Sequence, residues 1–208
     1  MKTEWIFNAD LNSHRVGQRA IQTSYSVTPA KQLAMTGAAA PPGGVAARPA
    51  SAGKPAAEEV ERGALEVLVR PDQPGVQPFL ATCALGFHDP AVPTGLWSAP
   101  KAEEICAVSG GYAYLIDTTA PEQFTMLPYR PVLEVRSLPA QGLLLFVGHH
   151  AILAWGEHGE AWRSERLSSE GVTITGVEGV VLHGMGWDLR TDKETPFALD
   201  VRTGVRIP

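Results

Sequence analysis

Residues 143–162 read LLLFVGHHAILAWGEHGEAW. Five apolar residues run to Val147, a glycine and two histidines follow, and a second apolar run reaches Trp155. A short apolar run bounded by turn residues is the pattern of a strand. Gly-Glu-His-Gly (156–159) then sits between AILAW and EAW, a hairpin-loop composition whose glycines suit positive φ. The stretch therefore reads as three strands joined by two tight turns. The competing reading is a metal or catalytic site built on His149, His150 and His158. Neighbouring side chains on a strand point to opposite faces, so an extended His149–His150 pair cannot hold one ion. If Gly148–His150 is a turn, both rings stand at a loop tip. A zinc site needs three or four converging ligands, which this spacing does not force.

The same texture continues in both directions. ALEVLVR (64–70), FLATCALGF (79–87), ICAVSG (105–110), GYAYLID (111–117), QFTMLP (123–128) and VLEVRSL (132–138) precede the opening stretch. AWRSERL (161–167), VTITGV (172–177), VVLHGMGWDL (180–189) and PFALDV (196–201) follow it. Each is rich in β-branched, aromatic or Leu residues and is bounded by turn formers, and none carries a sustained helical period. The expected fold class is all-β: stacked antiparallel sheets, partial propeller-like or a β-sandwich, with an extended N-terminal arm.

An internal repeat adds detail. Gly110, Gly148 and Gly186 are spaced by 38 residues, in ICAVSGGYAYLID (105–117), LLFVGHHAILAWG (144–156) and VVLHGMGWDL (180–189). A period near 40 is the size of one four-stranded propeller blade. ALDVRTG (198–204) resembles the Ala-x-Asp-x-x-Thr-Gly signature of PQQ-dehydrogenase-type propeller repeats. AWGEHGEAW (154–162) is similar to a degraded copy, with Gly156 in place of the Asp, Gly159 retained and Trp162 closing the pattern; IDTTAPEQF (116–124) keeps Asp117 and a Thr. The resemblance covers about residues 100–208 and implies that the Asp and Thr bond backbone groups in a tight turn while the Trp packs between blades. It implies shape and not chemistry. Three units fall short of the four blades that close a ring, so the sheets stack openly or several chains complete the assembly. The tail is also similar to bacterial proteins of unassigned function.

Toward the N-terminus the texture changes. In GAAAPPGGVAARPASAGKPAA (37–57), 17 of 21 residues are Ala, Gly or Pro, a linker or strap with no large side chain to offset its ordering entropy. Residues 1–36 are too few to hold a core of their own. They read as an arm with a strand at AIQTSYSVT (20–28) and with Trp5, Phe7, Arg15, Arg19 and Tyr25 as its interacting residues. The expected division is thus an arm at 1–36, a linker at 37–57 and an all-β domain at 58–208. Charge follows it: residues 1–57 carry six Lys/Arg and two Asp/Glu, residues 58–208 eleven and twenty. A basic arm on an acidic body suits an anionic partner, including the body of a neighbouring copy, whereas an acidic body repels nucleic acid.

MKTEWIFNADLN (1–12) has no apolar core of a secretory signal, and no run approaches the roughly 18 apolar residues of a membrane helix. A cytoplasmic protein, or part of a particle assembled there, is expected. Cys83 and Cys106 lie in apolar strand patterns and outside any CxxC motif, so they read as buried thiols. Ser109-Gly110-Gly111-Tyr112 lacks the Lys and the helix of a phosphate loop and reads as a turn. No cofactor is expected. GFHDPAVPTGLW (86–97) reads as a loop, and loops carry binding. The candidate ligand-binding residues are His88, Asp89, Trp97, His149 and His150. Trp155, Trp162 and Trp187 read as core, and Glu157, Glu160, Glu165 and Glu170 as a solvated face.

These observations favour a non-enzymatic interaction or structural module that associates with itself or a protein partner through the arm and sheet edges. The alternative is a small-ligand-binding protein or enzyme with its site in the 86–97 loop near Gly148–His150.

Overall fold

The computed structural model describes residues 63–71, 78–87 and 89–208, together with the backbone of three strands nearer the N-terminus, Trp5–Ile6, Gln18–Ser26 and Ala34–Met35. The linker expected at 37–57 lies outside the described residues. The fold is all-β, as expected, and the described residues form four sheets, none of them closed. It divides into two compact units, one of residues 1–98 and 102–130, the other of 99–101 and 131–208.

The first unit holds two sheets. One contains β1 (Trp5–Ile6), β2 (Gln18–Ser26), β3 (Ala34–Met35), β4 (Ala64–Pro71) and β5 (Phe79–Ala84), in the order β1-β2-β4-β5-β3. All its neighbours are antiparallel except β3 and β5. The other is an up-and-down meander of β6 (Gly95–Ser98), β7 (Glu104–Ser109), β8 (Tyr112–Asp117) and β9 (Phe124–Met126). Alternate residues of both sheets meet in one core: Leu65, Val67, Val69, Ala81 and Cys83 from the first, Ile105, Ala107, Tyr114 and Ile116 from the second. The expected loop at 86–97 is thus shorter than its composition suggests, because Gly95–Ser98 pairs with β7. The β7–β8 connection is the two-residue turn Gly110-Gly111, with φ of 56° and 75°. Two positive φ values are what a type I′ hairpin demands.

The second unit repeats the meander. β10 (Glu134–Leu138), β11 (Leu143–Val147), β12 (Ile152–Gly156) and β13 (Gly159–Arg163) form one sheet; β14 (Val172–Glu178), β15 (Val181–Asp188) and β16 (Lys193–Asp200) form another. Leu145, Val147, Ile152, Ala154, Val172, Ile174, Leu182, Phe197 and Leu199 belong to their common core. All five residues of β11 are buried, so both faces of that strand are covered, as its continuous apolar run requires. Covering each such Leu or Phe contributes about 1.5–3 kcal/mol relative to exposure. The hairpins read in residues 143–162 are present: Val147 pairs with Ile152 across Gly148–Ala151, and Gly156 pairs with Gly159 across Glu157-His158.

Of the three glycines spaced by 38, Gly110 and Gly148 stand at hairpin turns, whereas Gly186 lies inside β15. The ALDVRTG stretch ends β16 in a tight turn. The Asp200 carboxylate accepts from Arg202 N at 2.8 Å, Gly204 N donates to Asp200 O at 2.8 Å, and Thr203 Oγ1 accepts from Val205 N at 3.4 Å. Hydrogen bonds from the Arg202 side chain and backbone hold the Asp200 carboxyl down at about 2. The charged form that caps the turn therefore persists until the pH falls through that value. Trp162 of β13 packs on this turn and donates its indole N–H to Val201 O at 2.7 Å.

Gly204 sits at φ 67°, and a Cβ there would lie 2.4 Å from the Trp162 ring. Gly204→Ala should lower unfolding stability by about 1–3 kcal/mol, the usual cost of overpacking, in urea or thermal melts. Trp162→Phe made in the same chain should remove part of that penalty, because the two side chains compete for one space.

Candidate functional site

The residues singled out from sequence divide among several places. Asp89 is exposed and caps its own turn, its carboxylate accepting from Ala91 N at 2.8 Å. Trp97 is half-buried on β6 opposite Cys106. His88, Phe7 and Arg15 lie outside the described residues; Trp5 falls in β1, and Arg19 and Tyr25 in β2, described by their backbone alone. The 86–97 segment belongs to the first unit and Gly148–His150 to the second.

The histidine pair stands at the β11–β12 turn, with ring centroids 6.1 Å apart and planes tilted by 48°. His150 is exposed, and its bonds serve the backbone. Its carbonyl accepts from Leu167 N at 2.7 Å and Ser168 N at 3.3 Å, while its Nδ1 lies 3.2 Å from Ser168 O. The Ser168 carbonyl can only accept, so Nδ1 carries the proton. His158 is exposed in the next turn. Among the described residues, no three His, Cys, Asp or Glu side chains gather so as to hold a metal ion.

The segment that His150 holds in turn builds a cleft. Gly186 lets the chain approach β15 closely, since a Cβ there would lie 2.2 Å from Leu167 O. The buried Ser168 hydroxyl accepts from Trp187 N at 2.8 Å and from Glu170 N at 3.1 Å. These bonds set Glu170 beside Trp187, and the β15–β16 register sets Glu194 directly across from Trp187 on the other side. With Gly171 and Thr173, these residues line a shallow cleft of about 240 Å³. Of these, Trp187 is half-buried, while Glu170, Thr173 and Glu194 are exposed. Trp155 and Trp162 are buried, as expected of core residues, but Trp187 is not. The strand alternation carries the signal: Trp187 has the parity of His183 and Met185, opposite that of the buried Leu182, Gly184 and Gly186.

The two thiols are free and buried. Burial pushes Cys83 up to about 12; burial, then the Glu104 carboxylate, pushes Cys106 well above its ordinary value. The thiolate, the nucleophilic form, is suppressed at both.

No protein-family model matches this chain, and no curated protein matches it.

A consequence for the thiols is direct. At pH 8 the native protein should react with a thiol-specific reagent only as fast as it unfolds, and should release two equivalents once denatured. A fast-reacting cysteine in the native protein would show that the burial at Cys83 or Cys106 is wrong.

Proposed function

We propose that this protein is a non-enzymatic interaction module that assembles with itself, or into a larger complex, through its N-terminal arm and sheet edges. One observation carries the reading. β2 and β4 are antiparallel neighbours over eight residue pairs, yet residues 27–63, 37 in all, lie between them, with only the two-residue β3, paired to β5, among the described strands on the way. Antiparallel neighbours are ordinarily joined by two to five residues. A strand on so long a tether, much of it Ala, Gly and Pro, can reach the same edge on another copy, which is the geometry of strand exchange. The meanders β6–β9 and β10–β13 each have the four-stranded build of a propeller blade. Together with the Asp200 turn under Trp162, this supports a blade-like reading of the sheets, whose open edges need partners.

Two single variants test the exchange, Ile21→Cys and Leu68→Cys, which stand opposite each other in the β2–β4 register. When they are mixed, incubated and oxidised, a covalent dimer containing one chain of each should form. Light scattering behind size-exclusion chromatography should show the unmodified full chain as an oligomer. A strictly monomeric chain that gives no mixed dimer at any concentration rejects self-assembly through the arm.

A further inference from the structure

The Trp187 cleft has a chemistry of its own. Its polar side chains are two carboxylates and one hydroxyl, and none of the described residues lining it is a cation. Glu134, Glu160, Glu165 and Asp200 each pair with an arginine of this unit, whereas among the described residues neither Glu170 nor Glu194 stands within an ion pair. The two carboxylates would repel an anionic ligand here. A cation meets two carboxylates flanking Trp187, and an indole attracts positive charge over its face. The volume of about 240 Å³ suits the end of one side chain better than a nucleotide or a polymer. The cleft is also held from below rather than by its own rim. Ser168 ties the backbone of Trp187 to that of Glu170, and β15–β16 pairing places Glu194, so the backbone of the site is set before a ligand arrives.

We propose that this cleft receives an arginine or lysine side chain from the basic N-terminal segment of a second copy. Residues 1–57 carry six Lys/Arg against two Asp/Glu, and residues 58–208 eleven against twenty, so the two parts of neighbouring chains attract. The proposal rests on the self-assembly reading and names a contact that strand exchange alone does not require. Strand exchange supplies backbone bonds with no preference for charge, and the cleft supplies the recognition of a cation.

The test uses the full chain in a dilution series followed by light scattering, at low and high salt. Glu170→Gln with Glu194→Gln changes two exposed side chains and should leave the melting temperature unchanged. It should raise the dissociation constant of the assembly about fivefold at low salt, the scale of two exposed ion-pair contacts, and remove most of its salt dependence. Trp187→Ala should weaken association to a similar degree at both salt concentrations, and Trp187→Phe should restore part of it. Assembly that is unchanged in the Glu170→Gln/Glu194→Gln chain overturns the cleft proposal and leaves self-assembly standing. A parent chain that is monomeric throughout overturns both.

Discussion

The packing of Trp162 on the Asp200–Gly204 turn organises the second unit. An indole is the largest apolar side chain available, and burying it leaves one N–H that must find an acceptor. Here the acceptor is Val201 O, a backbone group in the chain reversal after β16. The last strand of one sheet is thereby fixed to the last strand of the next. The turn can serve as a platform because Asp200 and Thr203 satisfy its backbone from within and Gly204 offers no side chain to the ring. Had the turn been open, burial of the indole would have left unpaired peptide groups beneath it.

Edges are the second constraint, because an open sheet ends in a row of unpaired peptide groups. On β16 the problem is handled in two ways. Asp200 N donates to Val205 O and Ile207 N donates to Ala198 O, so the chain folds back to cover the end of the strand. Ala198 and Asp200 thus turn their peptide groups away from β15, and Pro196, of the same parity, has no N–H to present there. That side of the sheet is a poor template for another strand. In the first unit the edge of β4 is instead occupied by β2, a strand that arrives on a long tether.

Much of this architecture was legible in the residues. The turns at Gly110-Gly111 and Glu157-His158 follow from glycines placed between apolar runs, whereas the burial of β11 on both faces emerges only in the packed structure. β6 was hidden because Gly95–Ser98 is only four residues long and follows Pro90 and Pro93, whose turn signal dominates its surroundings. The division after Arg130 was hidden for another reason: both units are built from strands of the same composition, and what separates them is which strands pack together. The site was harder still. Histidines drew attention to Gly148–His150, where His150 in fact holds Leu167 and Ser168 through its backbone. The cleft that this segment helps to form joins Glu170, Trp187 and Glu194 only once β14, β15 and β16 are in register. No local pattern announces such a set, although the outward parity of Trp187 in β15 points to one of its members.

The tether before β4 also has a thermodynamic side. Residues 27–63 separate β2 from β4, and β3 within them pairs with β5, so the connection closes in two steps, each at an entropy cost that grows only logarithmically with its length. The β2–β4 pairing bears this cost in its own chain. A neighbour's β2 would make the same backbone bonds but would lose the freedom of a separate molecule, so it competes only as the chain's concentration approaches the effective concentration of β2 beside its own β4. Within one chain the balance thus favours closure at low concentration, and exchange gains as concentration rises. Attraction between a basic segment and an acidic body acts within a chain as well as between chains, so it strengthens both pairings alike. The composition of residues 1–57, small residues for reach and cations for encounter, is consistent with a segment that works between molecules as readily as within one.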